Sequence, residues 1–188
     1  MSCLLLQRIA RCYGSQCLVV DAFGGAGGNT IQLALAGLQV ISIDISQNKT
    51  FIIRQNATVY GVQNLIDVLC GDFTVVSPSI HADVVFLSPP WGGPEYSQND
   101  VFDVDDMGGN PHLGLGRLIH ISCIHMKASS VVAWLPRNTD RDQVKSVIGC
   151  SPLHSSAAHI EEACVNGVSK GITVYIGILA EYLSKCNP

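Results

Sequence analysis

The chain has 188 residues, of which 47% are hydrophobic and 14% charged, and its formal net charge is −4. This composition excludes an intrinsically disordered chain, and no apolar run reaches the roughly 20 residues that a transmembrane helix needs. The acidic balance and the lack of a basic run argue against a protein that grips a long stretch of nucleic acid. We expect one domain over residues 1–188.

The N-terminal segment, residues 1–17, has Arg8 and Arg11 after its apolar part and no small-residue cleavage site. It is therefore a poor signal peptide, and we predict a short helix that packs on the domain. The eight cysteines are scattered and none are spaced as C-x-x-C. They predict reduced thiols in a nuclear or cytoplasmic protein.

Short apolar runs alternate with helical patterns along most of the chain. We predict strands at residues 18–23, 39–45, 65–69, 82–87, 131–135, 157–166 and 172–182, the last two joined as a hairpin by residues 167–171. Helical patterns lie at residues 31–36, 46–60, 115–126 and 140–148, and an irregular, partly acidic segment lies at residues 95–110. Alternating strands and helices predict an α/β fold with a mostly parallel, doubly wound sheet and an antiparallel element at one side.

Polar and aromatic side chains follow four of the predicted strands, at the point where each strand ends. These ends are residues 21–23, 44, 72–73 and 88–91. Because ligands in open parallel sheets bind at the carboxyl ends of the strands, these residues are expected to meet in one site.

The first of these ends continues into a glycine turn, Gly24 to Gly28, which lets a ligand approach the backbone closely. Asp44 ends the second strand, where a carboxylate can accept two hydrogen bonds from ribose hydroxyls. This pairing suits any adenosine-containing cofactor, including a nicotinamide dinucleotide and S-adenosylmethionine.

Two details favour the methyl donor. Asp21 stands before the glycines, where an anion would repel a pyrophosphate but suits a cationic amino-acid group. The loop also departs from the dinucleotide pattern, because Thr30 stands where the third glycine belongs. Asp72 can then accept from an adenine amino group, with Phe73 beside the ring. The predicted residues for S-adenosyl-L-methionine are Asp21, Phe23, Gly25, Gly27, Asn29, Thr30, Asp44, Ile45, Asp72 and Phe73.

The second motif is Ser88-Pro89-Pro90-Trp91, in a string that continues Gly92-Gly93-Pro94. Two prolines end sheet pairing because neither has an N–H, so the chain must leave the sheet in a stiff turn. The motif resembles the Asn/Asp-Pro-Pro-aromatic motif of methyltransferases that modify exocyclic amines on bases. Trp91 can stack a flat base, and the negative face of its ring attracts a cationic one, such as 7-methylguanine, by roughly 2 kcal/mol.

With these motifs in place, the chain resembles the trimethylguanosine synthase family, the RNA cap guanine-N2 methyltransferases. The matching stretches are residues 20–32, 43–45, 56–61, 70–73, 84–94 and 135–138. The resemblance implies a class I S-adenosylmethionine-dependent methyltransferase fold, Rossmann-like, with a mostly parallel seven-stranded sheet, an antiparallel last strand and helices on both faces.

The resemblance also implies a substrate and roles for particular residues. The substrate would be 7-methylguanosine-capped RNA or a cap nucleotide. Ser88, Pro89, Pro90 and Trp91 would be catalytic, and Trp91 and Ser88 would hold the base together with Asn56, near the cap guanosine, and Arg137, near the cap phosphates. The family core carries a helical extension before the first strand, and only 17 residues precede Leu18. We therefore expect weak methylation by this chain alone, or a stop after one transfer.

Two other functions remain open at this stage. One is methylation of guanine N2 or adenine N6 at internal nucleic-acid sites, and the other is cap binding with little turnover. The spacing His120-x-x-Cys123-x-His125 leaves His125 off the face that the other two share, so we predict no metal site. Asp103, Asp105 and Asp106 predict a solvated acidic loop. We expect a monomer with no membrane contact.

Overall fold

The computed structural model describes residues 3–14, 16–93, 101–107, 111–153 and 157–186. Its helices are α1 (Cys3–Tyr13), α2 (Gly28–Leu35), α3 (Gln47–Val59), α4 (Phe73–Val76), α5 (Leu115–His120), α6 (Arg141–Gly149) and α7 (Ile178–Cys186). Its strands are β1 (Leu18–Asp21), β2 (Gln39–Asp44), β3 (Ile66–Cys70), β4 (Val84–Leu87), β5 (Ser130–Leu135), β6 (Ala158–Val165) and β7 (Val168–Gly177).

All seven strands form one sheet, in the order β3-β2-β1-β4-β5-β7-β6. β7 runs antiparallel to both of its neighbours, and the other neighbouring strands pair in parallel. The predicted fold class is confirmed, including the antiparallel last strand. The strand order reverses between β1 and β4, so the crevice for a ligand is expected beyond the carboxyl ends of these two strands.

The sheet separates two hydrophobic clusters because successive strand residues point to opposite faces. In β4, Val85 and Leu87 belong to one cluster, which also holds residues of α5 and α6. Val84 and Phe86 belong to the other cluster, which holds residues of α1, α2, α3 and α7. All four of these β4 residues are buried, and this explains the uninterrupted apolar run of a central strand.

The predicted strand at residues 172–182 is wrong beyond residue 177. Gly177 has a φ of 85°, and a Cβ at this position would lie 2.2 Å from the Ser129 carbonyl oxygen. The chain therefore turns out of the sheet here, and α7 begins at Ile178, whose N–H donates to the same Ser129 oxygen. The apolar residues after Gly177 recur with a helical period. They directly follow the apolar residues of β7, so the two elements read as one strand.

The hairpin loop is also shorter than the predicted residues 167–171. The turn between β6 and β7 consists of Asn166 and Gly167, which have φ values of 52° and 75°. Positive φ at both positions of a two-residue loop is typical of the type I′ turn, for which Asn-Gly is the preferred pair. The other predicted elements agree with the structure to within three residues at each end, apart from residues 121–125, which form a π-helical turn after α5.

Part of the predicted irregular segment, residues 101–107, is described and packs on the core. Phe102, Val104 and Met107 are buried. Asp103, Asp105 and Asp106 are exposed, as a solvated acidic loop requires, and the Gln143 side chain donates to Asp103 at 2.7 Å. Residues 94–100 and 108–110 lie outside the described residues.

The described helices include none that is both long enough and apolar enough to cross a bilayer. Within the same ranges, the cysteines whose state is described are free thiols, and no group of three His, Cys, Asp or Glu side chains is arranged to hold a metal ion. His120 and His125 meet edge to face, with ring centroids 6.4 Å apart. Burial raises the pKa of the nearby Cys123 thiol to about 11.

A polar cluster of three side chains attaches α1 to the far edge of the sheet. Arg8 of α1 donates to the carboxylate of Glu161 on β6 and, at 2.9 Å, to the hydroxyl of Tyr175 on β7. The same hydroxyl donates to Glu161 at 2.6 Å. Burial, reinforced by Glu161, raises the pKa of Tyr175. Each polar group in this cluster has a partner, so the cluster stabilises the packing of α1.

Replacing Tyr175 by Phe removes the shared hydroxyl and leaves Arg8 and Glu161 with fewer hydrogen bonds. We expect Tyr175→Phe to lower the free energy of unfolding by about 1–2 kcal/mol. Tyr60→Phe is the matched control because Tyr60 is 57% exposed, and we expect it to change stability by less than about 0.5 kcal/mol. Urea denaturation of the three proteins provides the measurement, and equal midpoints for the two variants would contradict this account.

Candidate active site

A cavity of about 390 Å³ lies at the carboxyl ends of the central strands. Its lining residues are Ala22, Phe23, Gly25, Asp44, Ile45, Lys49, Gly71, Asp72, Phe73, Ser88, Pro90 and Leu113. This set contains most of the residues predicted to bind the first ligand, together with two from the proline segment. The structure therefore brings the two predicted half-sites to one cavity, as the strand-end pattern requires.

The turn after β1 requires glycine at particular positions. A Cβ on Gly24 would lie 2.2 Å from the Ser42 hydroxyl oxygen, so the loop can pass over β2 only without a side chain there. Gly25 and Gly27 have φ values of 57° and 87°, which favour glycine. The loop then enters α2 directly, and its Gly25 amide faces the end of β2.

Asp44 is held rigidly at one wall of the cavity. Its Oδ2 accepts from the Gly25 amide and its Oδ1 from the Ser46 amide, each at 2.9 Å. The Lys49 ammonium group lies 3.8 Å from Oδ2. An ionised carboxylate offers about four lone pairs. Asp44 can therefore keep these contacts and still accept hydrogen bonds from the hydroxyl groups of a ligand.

Asp21 was predicted to face a ligand, and the structure places it behind the cavity wall. It is fully buried, and its Oδ2 accepts from the Thr30 hydroxyl at 2.6 Å. Thr30 in turn accepts from Ser42 at 2.8 Å, so Thr30 orients the carboxylate. The second oxygen, Oδ1, has no hydrogen-bond partner in the described part of the chain. Burial raises the pKa of Asp21 to about 6, against the opposing effect of the Thr30 hydrogen bond.

The opposite part of the cavity is apolar. Ile45 is 71% exposed although it lines the cavity, which is typical of a side chain that a ligand covers. Phe23 and Phe73 pack with ring centroids 5.9 Å apart. Asp72 begins α4, because its Oδ1 accepts from the amide and the hydroxyl of Thr74 at 2.8 Å. Its carboxylate thus stays at the cavity edge beside an apolar surface suited to a flat ring.

The proline segment continues from β4 and reaches the cavity. Ser88 is partly buried, Pro89 is buried and Pro90 is exposed to the cavity. Asn29 at the start of α2 donates to the Ser88 hydroxyl at 3.4 Å, which connects the glycine loop with the proline segment. Trp91 is half-buried and stacks on Trp134 of β5, with ring centroids 6.3 Å apart and an angle of 27° between the rings.

Three of the four predicted substrate-binding residues lie outside the cavity lining, namely Trp91, Asn56 and Arg137. The Asn56 amide donates to the Ala26 carbonyl at 2.9 Å, so Asn56 braces the glycine loop from α3. Arg137 is exposed in the turn after β5. Their contacts with a second ligand stay predictions. The other predicted site residues outside the lining are Asp21, Gly27, Asn29, Thr30 and Pro89. Pro94 lies outside the described residues.

The predicted site residues did not include Lys49, Gly71, Leu113 or Trp134. Lys49 could have been found, because Ser46 accepts from its amide and so places it in the first turn of α3, beside Asp44. Leu113 belongs to a single 3₁₀ turn that follows an irregular segment and has no periodic signal. Trp134 occupies a strand position that reads as an ordinary core residue.

Comparison with known proteins gives one family match and several relatives. A family model described as RNA cap guanine-N2 methyltransferase matches residues 16–179. The trimethylguanosine synthase of Saccharomyces cerevisiae is 34% identical over 186 residues, covering 92% of this chain and 55% of the relative. That of Schizosaccharomyces pombe is 33% identical over 171 residues, covering 86% and 66%. The chain thus spans between about half and two thirds of the length of these relatives.

Solved structures support the fold. An rRNA methylase from Streptococcus thermophilus superposes with a TM-score of 0.62 at 13% identity, covering 93% of each chain. A SAM-dependent methyltransferase from Agrobacterium tumefaciens gives 0.64 at 16% identity, covering 93% of this chain and 60% of the other. At such identities the likeness concerns the arrangement of the sheet and helices alone.

The Gly24 contact leads to a stability prediction with an internal control. We expect Gly24→Ala to lower the free energy of unfolding by about 1–3 kcal/mol, because the new methyl group overlaps Ser42. A Cβ on Gly28 meets nothing within 4 Å. Gly28→Ala should therefore leave stability unchanged or slightly raised, since alanine favours the helix. Denaturant unfolding compares the two, and equal effects would contradict the proposed close approach.

The buried Asp21 carboxylate leads to a pH prediction. The folded-state pKa of about 6 lies above the ordinary value of 3.8, so between these values the folded state binds more protons than the unfolded chain. The wild type should therefore lose stability as the pH rises from about 4 to about 6. Asp21→Asn is uncharged throughout and should gain roughly 1–3 kcal/mol relative to the wild type over this range.

Denaturation curves at several pH values measure this difference. Asp106→Asn is the control for loss of a carboxyl group, because Asp106 is exposed. A pH-independent difference between Asp21→Asn and the wild type would contradict a raised pKa of Asp21.

Proposed function

Because the chain belongs to the RNA cap guanine-N2 methyltransferase family, we propose that it methylates the exocyclic N2 of a 7-methylguanosine cap, giving di- or trimethylguanosine. The methyl donor is S-adenosyl-L-methionine. The observation that carries this proposal is the position of Ser88, beside the Asp44 cavity and within hydrogen-bond reach of Asn29. One side chain of the acceptor motif thus reaches the cavity predicted for the donor.

The residues of the cavity fit the donor. The free lone pairs of Asp44 suit the two ribose hydroxyls, and the carboxylate of Asp72 suits the adenine amino group above the apolar surface of Ile45 and Phe73. Asp21 is buried behind the cavity wall, and the negative charge of its ionised carboxylate suits a cationic amino group bound in the cavity. A volume of about 390 Å³ is within the usual range for cofactor sites.

Bound in this cavity, S-adenosyl-L-methionine supplies an electrophilic methyl carbon at its sulfonium centre. The amine at guanine N2 is a weak nucleophile because its lone pair is shared with the ring. The Ser88 hydroxyl oxygen and the Pro89 carbonyl oxygen can each accept one N–H of this amine, which aims the lone pair. Asn29 donates to Ser88 and so orients its oxygen. The rate then comes mainly from positioning, and the proton can leave after methyl transfer.

Trp91 selects the base. Its half-buried indole sits on a stiff, proline-fixed segment at the end of β4. A 7-methylated guanine carries a positive charge that an unmethylated guanine lacks, and the indole face attracts this charge. Trp91 therefore favours a capped end over an internal guanine.

Arg137 serves the cap phosphates. It is exposed in the turn after β5. A guanidinium group binds phosphate oxygens through two parallel hydrogen bonds. With a net charge of −4, the chain is suited to hold the small cap structure and not a long RNA.

We propose a monomer in the nucleus or cytoplasm.

A methyl-transfer assay tests this function. Purified protein with radiolabelled S-adenosyl-L-methionine should label m7GTP and capped RNA, and mass spectrometry counts the methyl groups added. Free m7GTP should compete for labelling of capped RNA, and GTP should not. Equal competition by GTP would favour an internal guanine or adenine as the acceptor. Binding of m7GTP without any transfer would instead indicate a cap-binding module.

Trp91→Ala separates the two half-sites. We expect this change to weaken m7GTP binding about 30-fold, the equivalent of roughly 2 kcal/mol, and to abolish cap methylation. Calorimetry should show S-adenosyl-L-methionine binding close to that of the wild type, because Trp91 does not line the donor cavity. The m7GTP affinity of Trp91→Phe should lie between those of the wild type and Trp91→Ala. Unchanged m7GTP affinity in Trp91→Ala would remove Trp91 from the site.

A further inference from the structure

The proposed base platform, Trp91, does not stand alone. Its ring stacks on Trp134, with centroids 6.3 Å apart and an interplanar angle of 27°. This separation is within the range of favourable offset aromatic stacking. Trp91 follows β4 and Trp134 lies near the end of β5, the neighbouring strand, so the stack joins the ends of two paired strands.

Trp134 is held firmly by the sheet. It is part of β5, opposite Thr173 of β7 in the antiparallel ladder. Its ring lies over Gly171, where an added Cβ would come within 3.0 Å of the indole Cζ2 atom and 3.3 Å of Cε2. The side chain also packs against the hydrophobic cluster that holds α1 and α7. Trp134 therefore offers a fixed surface.

Trp91 follows a backbone that its prolines fix. Prolines restrict the main chain and do not set the side-chain torsions of the next residue. Gly92 and Gly93 follow with φ values of 88° and 75° and carry no side chains to hold the ring. Trp91 packs at the edge of the opposite hydrophobic cluster and stays half-buried. The stack on Trp134 therefore places a fixed neighbour against one face of its ring.

We propose that Trp134 is a positioning residue for cap recognition. It backs one face of the Trp91 indole and fixes its plane, so that the other face takes the cationic purine. This inference rests on the proposed function. A platform that is already ordered loses less side-chain entropy when the base binds, so removing the backing ring weakens cap affinity. Donor affinity should not depend on Trp134, which lies outside the donor cavity.

The opposite arrangement is a distinct alternative, with an opposite result. If Trp134 occupied the face that the base needs, a cap would have to displace it, and removing Trp134 would raise cap affinity. The sign of the change in affinity therefore decides between backing and competition.

The test uses Trp134→Leu, which keeps an apolar side chain, and Trp134→Phe, which keeps an aromatic one. We expect Trp134→Leu to weaken m7GTP binding about 3- to 10-fold and Trp134→Phe to change it by less than about twofold. Calorimetry should give wild-type affinity for S-adenosyl-L-methionine in both. The chain has two tryptophans, so each variant also leaves Trp91 as the sole indole fluorophore, whose quenching by m7GTP reports on the platform directly.

A second measurement distinguishes positioning from general damage to the fold. The stacked indoles should give an exciton couplet in circular dichroism that is lost in Trp134→Leu. In a Trp91→Ala background, Trp134→Leu should have no further effect on m7GTP affinity, because Trp134 acts only through Trp91. Additive losses, unchanged affinity or tighter binding in Trp134→Leu would each overturn this role. Failure of the wild type to bind m7GTP would overturn the proposed function as well.

Discussion

The hydrogen bond from the Gly25 amide to the Asp44 carboxylate holds the ends of β1 and β2 together, and the rest of the site depends on it. It can form only because the preceding residue, Gly24, passes over Ser42 without a side chain. The glycine loop leads into α2, and Asn29 at the start of this helix donates to the Ser88 hydroxyl. These contacts connect the carboxyl ends of β1, β2 and β4. Each contact uses backbone groups or short polar side chains.

Much of the fold was predictable because strand and helix patterns alternate along the chain. Each pattern is carried by a few consecutive residues. The central strand β4 reads as a strand because all four of its residues are buried. The errors occur where a backbone constraint overrides the side-chain pattern. Gly177 ends β7 because the Ser129 carbonyl leaves no room for a Cβ. That carbonyl lies 48 residues earlier in the chain, and no local pattern of hydrophobic residues records it.

The site was predictable as a set of strand ends, but not as a set of contacts. Asp44, Asp72 and Ser88 line the cavity, and their roles toward a ligand stay predictions. Asp21 also stands at the end of a strand, yet its side chain is buried behind the cavity wall, where it accepts from the Thr30 hydroxyl. Asn56 lies on α3 and braces the loop. Sequence places a residue on an element, whereas the direction of its side chain follows from packing between elements.

The buried position of Asp21 would also couple occupancy of the cavity to proton release. With a pKa of about 6, part of the Asp21 population is protonated in slightly acidic solution. A cationic group bound in the cavity would favour the ionised form, and its binding would then release this proton to the buffer. Methyl transfer leaves the amino group of S-adenosyl-L-methionine unchanged, so the same linkage would hold for the demethylated product. Acidification would therefore act on the loading and unloading of the cavity.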